Sequence, residues 1–264
     1  MADSRNTAAT PDVLTEDRDG VRWIVLNRPG TANAAEPVLM RALCEALDAA
    51  RAAPAVEAIV LRGEGRHFLA GGNLDWLSDI VAGTADDAAG EIYRWFQGTT
   101  RRIIACPKPV IAAISGAAVT VGCEIALACD ARIIDRRAFF QQSWLELGLI
   151  APLGGAKLLP QIVGLAKAKE ILLECRKIDA AEAMAIGLAN EMVEDGDALL
   201  ARAQERAKAM ASRPARPFAE MKQLIHAGLS QSLEEIWQAG VRAQGELLQG
   251  QDFRTAVRAR RPTA

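Results

Sequence analysis

The stretch KPVIAAISGAAVTVGCEIALACDAR runs from Lys108 to Arg132. Its first part, Val110–Ile114, is a short and continuously apolar run, which predicts a buried strand. Small residues at Ser115–Gly122 then predict a turn, and a helix is expected to begin near Val121. One acid of this stretch, Glu124, would lie about one turn from backbone N–H groups that have no partner within the helix. An acid beside free N–H groups can form an oxyanion site with a proton carrier.

A second stretch with possible chemistry, HFLAGGNL at His67–Leu74, follows another predicted strand. That strand is the apolar run Ala58–Arg62, which is typical of a strand buried on both faces of a sheet. The glycines that come after it allow a ligand to approach the backbone closely. We therefore expect this loop to contribute backbone groups to a ligand site.

The rest of the chain predicts an α/β fold in which strands and helices alternate early and helices alone come late. Near the N-terminus, Val21–Leu26 predicts a strand, and Pro37–Ala52, with a leucine at every fourth position, predicts an amphipathic helix. The further predicted elements are a helix within 84–104, short strands at Arg132–Ile134 and Phe139–Phe140, helical turns at Leu158–Val163 and Ala166–Leu173, and helices at Asp179–Ile186, Ala198–Ser212, Pro217–Gly228 and Leu233–Gln249. This order predicts a loose leader over residues 1–12, a core over 13–196 and a helical region over 197–264.

Composition and charge are those of an ordinary soluble globular protein. The chain has 264 residues, of which 50% are hydrophobic and 24% charged, and its formal net charge is -2. This balance gives no electrostatic reason to expect a nucleic acid as partner. The N-terminus lacks the features of a signal peptide and no apolar run reaches the length of a membrane span. We therefore expect a cytoplasmic protein without a membrane segment.

The cysteines and histidines argue against a disulfide framework and against a metal site. The five cysteines are odd in number, show no CxxC pair and fall mostly in apolar runs, which predicts reduced thiols in the core. With only two histidines, a zinc site of the His/Cys kind is not expected.

Five segments in order resemble the crotonase family, which is the enoyl-CoA hydratase/isomerase superfamily. They are NRP at Asn27–Pro29, HFLAGGNL at His67–Leu74, KPVIAAISGAAVTVGCEIALACD at Lys108–Asp130, LGLIAPLGGAKLLPQIVG at Leu147–Gly164 and DAAEAMAIGLANEMV at Asp179–Val193. The resemblance extends from about Val13 to Asp252. It implies a ββα-spiral core, a C-terminal helical region used for trimer formation, often as a dimer of trimers, and an acyl-CoA thioester as ligand. Coenzyme A is then part of the substrate, and no separate cofactor is expected.

The resemblance also implies site residues. The two N–H groups of the family's oxyanion hole would fall on Ala70 and Val121, where the family usually has glycine at the second position. The β-branched side chain of Val121 could crowd the acyl group. The segment Ala70, Gly71, Gly72 and Asn73 matches the one whose backbone lines the CoA arm. Glu124 matches the first of two glutamates that hydratases use to activate and deliver water.

The position of the second glutamate corresponds to Trp144, and indole cannot carry a proton at neutral pH. A further acid, used by some isomerases and dehalogenases, corresponds to Pro152, which disfavours dehalogenation. The nearest surviving acid is Glu146, which in an extended segment would share a side with Trp144 and so contact the substrate. His67 is expected to act as loop scaffolding.

Three classes of function therefore stay open at this point. The first is an enoyl-CoA lyase or isomerase with Glu124 as its acid or base. The second is another CoA-thioester enzyme, a hydrolase or a decarboxylase, because one carboxylate should make water addition slow. The third is a protein that binds acyl-CoA without catalysis.

Overall fold

The structure, a computed structural model, describes residues 11–260. All but Pro11 and Asp12 of the predicted leader lie outside the described residues. The strands are β1 Val13–Arg18, β2 Val21–Leu26, β3 Ala58–Gly63, β4 Val110–Ile114, β5 Ala117–Val119, β6 Ala131–Asp135, β7 Phe139–Gln141, β8 Ile178–Asp179 and β9 Glu191–Val193. The helices are α1 Pro37–Ala52, α2 Leu74–Ala82, α3 Ala88–Glu91, α4 Gln97–Ala105, α5 Val121–Ala128, α6 Gly155–Val163, α7 Leu165–Glu174, α8 Ala180–Ala185, α9 Gly196–Ala211, α10 Ala215–Ala227, α11 Leu233–Leu247 and α12 Gln251–Arg260.

Two sheets organise these elements. The larger has the strand order β1-β2-β3-β4-β6-β9, in which β1 pairs antiparallel with β2 and the remaining neighbours are parallel. The smaller has the order β5-β7-β8. A strand of the large sheet, a strand of the small sheet and one or more helices follow each other twice, as β4-β5-α5 and as β6-β7-α6-α7. This repeat is the ββα spiral that the resemblance implies.

Several predicted elements agree with the structure, and some were missed. The strand Val21–Leu26, the helix Pro37–Ala52 and the start of a helix at Val121 are confirmed. The predicted turn at Ser115–Gly122 is partly wrong, because it contains β5, whose alanines give no local strand signal. The strand β1 and the helices α2 and α12 were not predicted.

The central strands of the large sheet, β2, β3, β4 and β6, are covered on both faces, whereas the edge strand β1 is mostly exposed. One face packs with α1, α4 and α5 in the main apolar core. The other face is covered by α9, whose Leu199, Ala203 and Ala207 pack with Trp23 and Val60. The helix α9, which follows the predicted boundary at residue 196, therefore packs against strands that precede that boundary.

Two further predictions concern the state of the cysteines and the presence of a membrane segment. All five cysteines are buried and free of disulfide bonds, which confirms the predicted core thiols. Within residues 11–260, every helix is too short or too polar to cross a bilayer.

A buried ion pair attaches α10 to the core. Lys222 Nζ lies 2.7 Å from Asp130 Oδ2 and donates to the carbonyl oxygens of Ile103 and Lys108. The two charged side chains are only 5% and 12% exposed. Removing Lys222 would therefore leave the Asp130 carboxylate largely buried without its ion partner, with the amide of Val110 as its remaining donor.

We expect Lys222→Met to lower the free energy of unfolding by about 3 to 5 kcal/mol, the usual cost of breaking a buried pair from one side. Urea unfolding followed by circular dichroism measures this change. Lys208→Met is the matched control, because the pair of Lys208 with Asp19 is 53% and 78% exposed and should contribute about 1 kcal/mol at most. Equal effects of the two substitutions would contradict the account.

Candidate active site

Two loops meet at the ends of β3 and β5. Leu69 donates its N–H to Ala117 O at 2.9 Å and accepts at its carbonyl oxygen from Val119 N at 3.0 Å. The loop 67–73 therefore extends the small sheet alongside β5. A Cβ added to Gly122 would lie 2.3 Å from Leu69 O, so only glycine lets the first turn of α5 approach this loop. In the segment TVG at residues 120–122, the third position is the one with a steric need for glycine.

The structure corrects the predicted role of Ala70. Its N–H donates to Ala32 O at 3.1 Å, so the predicted oxyanion donor already has an acceptor. Two residues on, Ala35 pairs with Gly72: Ala35 N donates to Gly71 O at 2.7 Å, and Asn73 N donates to Ala35 O at 2.8 Å. The N–H of Gly72 has no acceptor among residues 11–260. Gly72 thus supplies the free amide of this loop that was predicted at Ala70.

Val121 occupies the first position of α5, and its amide likewise has no acceptor within the described chain. This agrees with the geometry of a helix start, where the first N–H groups lack intrahelical partners. The side chain of Val121 is 1% exposed and belongs to the main apolar core. The expected oxyanion donor is therefore the backbone amide of a valine whose own side chain packs in the core.

Glu124 is completely buried and accepts three hydrogen bonds. Trp144 Nε1 donates to its Oε1 at 2.9 Å, while the amides of Leu153 and Gly155 donate to its Oε2 at 2.9 and 2.6 Å. The last donor is the first residue of α6, where the helix dipole also favours a negative charge. Burial raises the pKa of Glu124 to about 7, and the three donors oppose part of that increase. A carboxyl group with this pKa can both take and return a proton near neutral pH.

Trp144 and Glu146 do not share a side as predicted. The segment is a 3-10 turn at Leu145–Leu147 that begins after Trp144, and not an extended strand. Residues two apart in such a turn point in different directions, so Trp144 is half-buried against Glu124 while Glu146 is exposed. The prediction that Glu146 contacts the substrate is therefore corrected to a solvent-exposed loop residue.

Two other loop residues have structural roles. The side chain of Asn73 caps α2 by accepting from Asp75 N at 2.8 Å, and it donates to Glu36 Oε2 at 2.9 Å. Its side chain is therefore engaged within the fold, and a ligand would meet the backbone of this loop. His67 Nδ1 accepts from Ala117 N at 3.1 Å, which confirms its predicted role as scaffolding.

Comparison with known proteins identifies the family. Residues 16–262 match the family model described as enoyl-CoA hydratase/isomerase. A probable enoyl-CoA hydratase of Rhodobacter capsulatus is 37% identical, with 92% of each chain covered. A 1,2-epoxyphenylacetyl-CoA isomerase of Escherichia coli is 31% identical over 84% of each chain. The chain belongs to the enoyl-CoA hydratase/isomerase family. The crystal structure of an enoyl-CoA hydratase from Bacillus anthracis superposes with a TM-score of 0.86 at 28% identity, covering 94% of this chain and 95% of that one.

These similarities confirm the predicted crotonase family and its α/β fold, and they show an acyl-CoA thioester enzyme of this family. In the candidate site, Glu124 accepts from the indole of Trp144, the residue at which the resemblance implies a second glutamate. Sequence reasoning missed the hydrogen bond between those two side chains. It also missed that Gly72 carries the free amide, for which the only local signal was the pair of glycines at 71 and 72.

Trp144→Phe tests how the indole acts on Glu124. It removes a donor that favours the ionised carboxylate, and a hydrogen bond to a charged group contributes about 1.5 to 3 kcal/mol. We therefore expect the pKa of Glu124 to rise from about 7 by roughly one to two units. Infrared difference spectra of the carboxyl band across a pH titration measure this value.

Trp237→Phe is the control for the titration, because this tryptophan lies exposed on α11. It should leave the pKa of Glu124 unchanged. A pKa of Glu124 that stays the same after Trp144→Phe would show that the indole does not stabilise the carboxylate.

Proposed function

We propose that this chain is an acyl-CoA isomerase in which Glu124 moves one proton between two carbons of an enoyl thioester. The observation that carries the proposal is the hydrogen bond of Trp144 Nε1 to Glu124 Oε1 at 2.9 Å. An indole donor holds the carboxylate but supplies neither acid nor base. The site thus favours a reaction that needs a single proton carrier.

The proposed reaction begins with a 3-enoyl-CoA. Ionised Glu124 takes a proton from the carbon next to the thioester, and the electron pair of the broken C–H bond passes to the thioester oxygen as an enolate. The same carboxyl group then returns its proton to the carbon at the far end of the former double bond. The product is the conjugated 2-enoyl-CoA, and no water or redox partner is consumed.

The enolate oxygen is proposed to lie between the amides of Gly72 and Val121. Backbone donors aimed at a developing negative charge commonly contribute about 3 to 4 kcal/mol each to transition-state stabilisation. Leu69, paired with β5, and Gly122, in contact with Leu69 O, hold the two loops against each other. This contact supports the convergence of the two donors on one oxygen.

The pH dependence of the proposed step follows from Glu124. Proton abstraction needs the ionised carboxylate, so its rate should increase as the pH rises towards about 7, the value to which burial raises the pKa. Hydration is disfavoured because Trp144, at the position where the resemblance implies a second glutamate, cannot deliver a proton. Relatives named as hydratases and as an isomerase both match the chain, so the preference for isomerisation rests on the hydrogen bond of Trp144 to Glu124.

A second candidate function is acyl-CoA binding without catalysis. The observation that favours it is that Glu124 is 0% exposed and already accepts three hydrogen bonds. In that case the carboxylate would join Trp144 to α6 as part of the scaffold.

Glu124→Gln separates these functions. We expect the wild type to convert 3-hexenoyl-CoA to 2-hexenoyl-CoA faster than it hydrates crotonyl-CoA, because only one proton carrier is present. The substitution should lower the isomerisation rate by about 10²- to 10⁴-fold. The absorbance of the conjugated thioester measures both reactions.

Glu146→Gln is the matched control and should leave the rate unchanged, since Glu146 is exposed. Equal rates in wild type and Glu124→Gln would contradict the proposed base. Hydration faster than isomerisation would contradict the single-carrier mechanism. Binding of the thioester with neither reaction would favour the non-catalytic alternative.

We also propose that copies of this chain associate as a trimer or a dimer of trimers through the C-terminal helices. The helices α10 and α11 form an apolar groove that includes Ile225, Trp237 and Val241. These three side chains are 60%, 58% and 73% exposed. An apolar surface of this kind on a soluble protein marks an interface.

Val241→Glu tests the association. A charge in the groove would have to be desolvated on association, so we expect the variant to elute as a monomer while the wild type elutes as a trimer or hexamer. Size-exclusion chromatography with light scattering measures the mass. Gln249→Glu adds the same charge at an exposed position and should leave the assembly intact. A wild-type monomer would contradict the proposal.

A further inference from the structure

Thr120 is the N-cap residue of α5, yet its hydroxyl does not cap the helix. Threonine at this position ordinarily accepts a hydrogen bond from one of the first N–H groups of the helix. Here its backbone angles are φ 44° and ψ -103°, far from the extended conformation that capping needs, and no side-chain cap is formed. Both the hydroxyl and the first amides of α5 are therefore left available.

The hydroxyl lies between the two loops of the candidate site. Thr120 is 3% exposed, and a Cβ added to Gly71 would lie 2.8 Å from its Oγ1. The hydroxyl thus touches the turn that carries the free amide of Gly72, while the next residue along the chain is Val121. Among residues 11–260, this hydroxyl has no hydrogen-bond partner. Its oxygen is not among the wholly enclosed side-chain atoms that lack a partner, so a ligand bound at the site can reach the hydroxyl and complete its hydrogen bonding.

The backbone around Thr120 is firmly held in this strained form. Its N–H donates to Gln141 O at 2.8 Å, and its carbonyl oxygen accepts from Glu124 N at 3.0 Å. A positive φ is unfavourable for a β-branched residue, whereas glycine adopts it without strain. Threonine therefore occupies this position although its backbone is strained there and its hydroxyl does not cap α5. Strained backbone conformations of this kind are common at active sites and ligand sites, where a side chain or a backbone group must point at the ligand.

We propose that Thr120 Oγ1 donates a third hydrogen bond to the thioester oxygen, beside the amides of Gly72 and Val121. The inference rests on the proposed function and names a further catalytic residue for it. No bond of threonine is made or broken: the hydroxyl hydrogen stays on Oγ1, and its hydrogen bond strengthens as the oxygen gains enolate charge. The neighbouring carboxylate, Glu124, keeps the role of sole proton carrier.

The experiment compares Thr120→Val with Thr120→Ser. Valine keeps the shape and the β-branching of threonine but lacks the hydroxyl, while serine keeps the hydroxyl. Butyryl-CoA labelled with ¹³C at the thioester carbon is the probe. Its carbonyl stretching frequency, read by infrared difference spectroscopy, decreases as donors polarise the bound carbonyl. Exchange of its α-protons in D₂O measures enolate formation.

We expect bound butyryl-CoA to show a decreased carbonyl frequency in the wild type and in Thr120→Ser, and a smaller decrease in Thr120→Val. The exchange rate should fall about 100-fold in Thr120→Val, as for the loss of one oxyanion donor, and recover in Thr120→Ser. If Thr120→Val does not fold, Thr120→Gly replaces it, because glycine removes the hydroxyl and also relieves the backbone strain. It should show the same smaller decrease.

Wild-type values of both the frequency and the exchange rate in a folded variant without the hydroxyl would overturn the inference for Thr120 alone. No decrease in carbonyl frequency in the wild type itself would overturn the proposed oxyanion site, and the third donor with it. The two failures are therefore distinguishable.

Discussion

The site depends on the backbone pairing of Leu69 with Ala117 and Val119. These two hydrogen bonds, at 2.9 and 3.0 Å, join a loop that follows β3 to the strand that precedes α5. They bring Gly71, which precedes the free amide of Gly72, against the side chain of Thr120 just before α5. Because Gly122 lies against Leu69 O, a side chain at that position would push the helix away. The register of the pairing between Leu69 and β5 thus determines whether the amides of Gly72 and Val121 can face the same oxygen atom.

The second constraint is the charge on a buried carboxylate. Glu124 lies out of solvent, where an ionised group is unfavourable, and its three donors offset part of that cost. One is the amide of Gly155 at the start of α6, another is the amide of Leu153 just before that helix, and the third is the indole of Trp144. The indole supplies a fixed donor and no proton carrier. The proposed reaction, in which one carboxyl group takes and returns one proton, rests on this arrangement.

Local patterns were sufficient for the elements with strong periodicity and for the positions named by family motifs. The helix start at Val121 could be predicted because small residues mark it, and Glu124 was singled out as an acid within an apolar run beside that start. The choice between Ala70 and Gly72 could not, because it depends on pairing with residues 32 and 35, which a local pattern does not reveal. Glu146 was misplaced because a 3-10 turn reverses the side-chain directions that an extended segment would give.

The packing of α9 was beyond local prediction for a similar reason. Its sequence shows a helix, but only the structure shows that the helix covers the second face of the sheet.

The proposed chemistry depends on the convergence of the Gly72 and Val121 amides on one oxygen atom. A crystal structure with bound butyryl-CoA tests this convergence most directly. We predict the thioester oxygen about 2.7 to 3.1 Å from both Gly72 N and Val121 N. An oxygen in contact with neither amide, or a valine side chain in its place, would contradict the account.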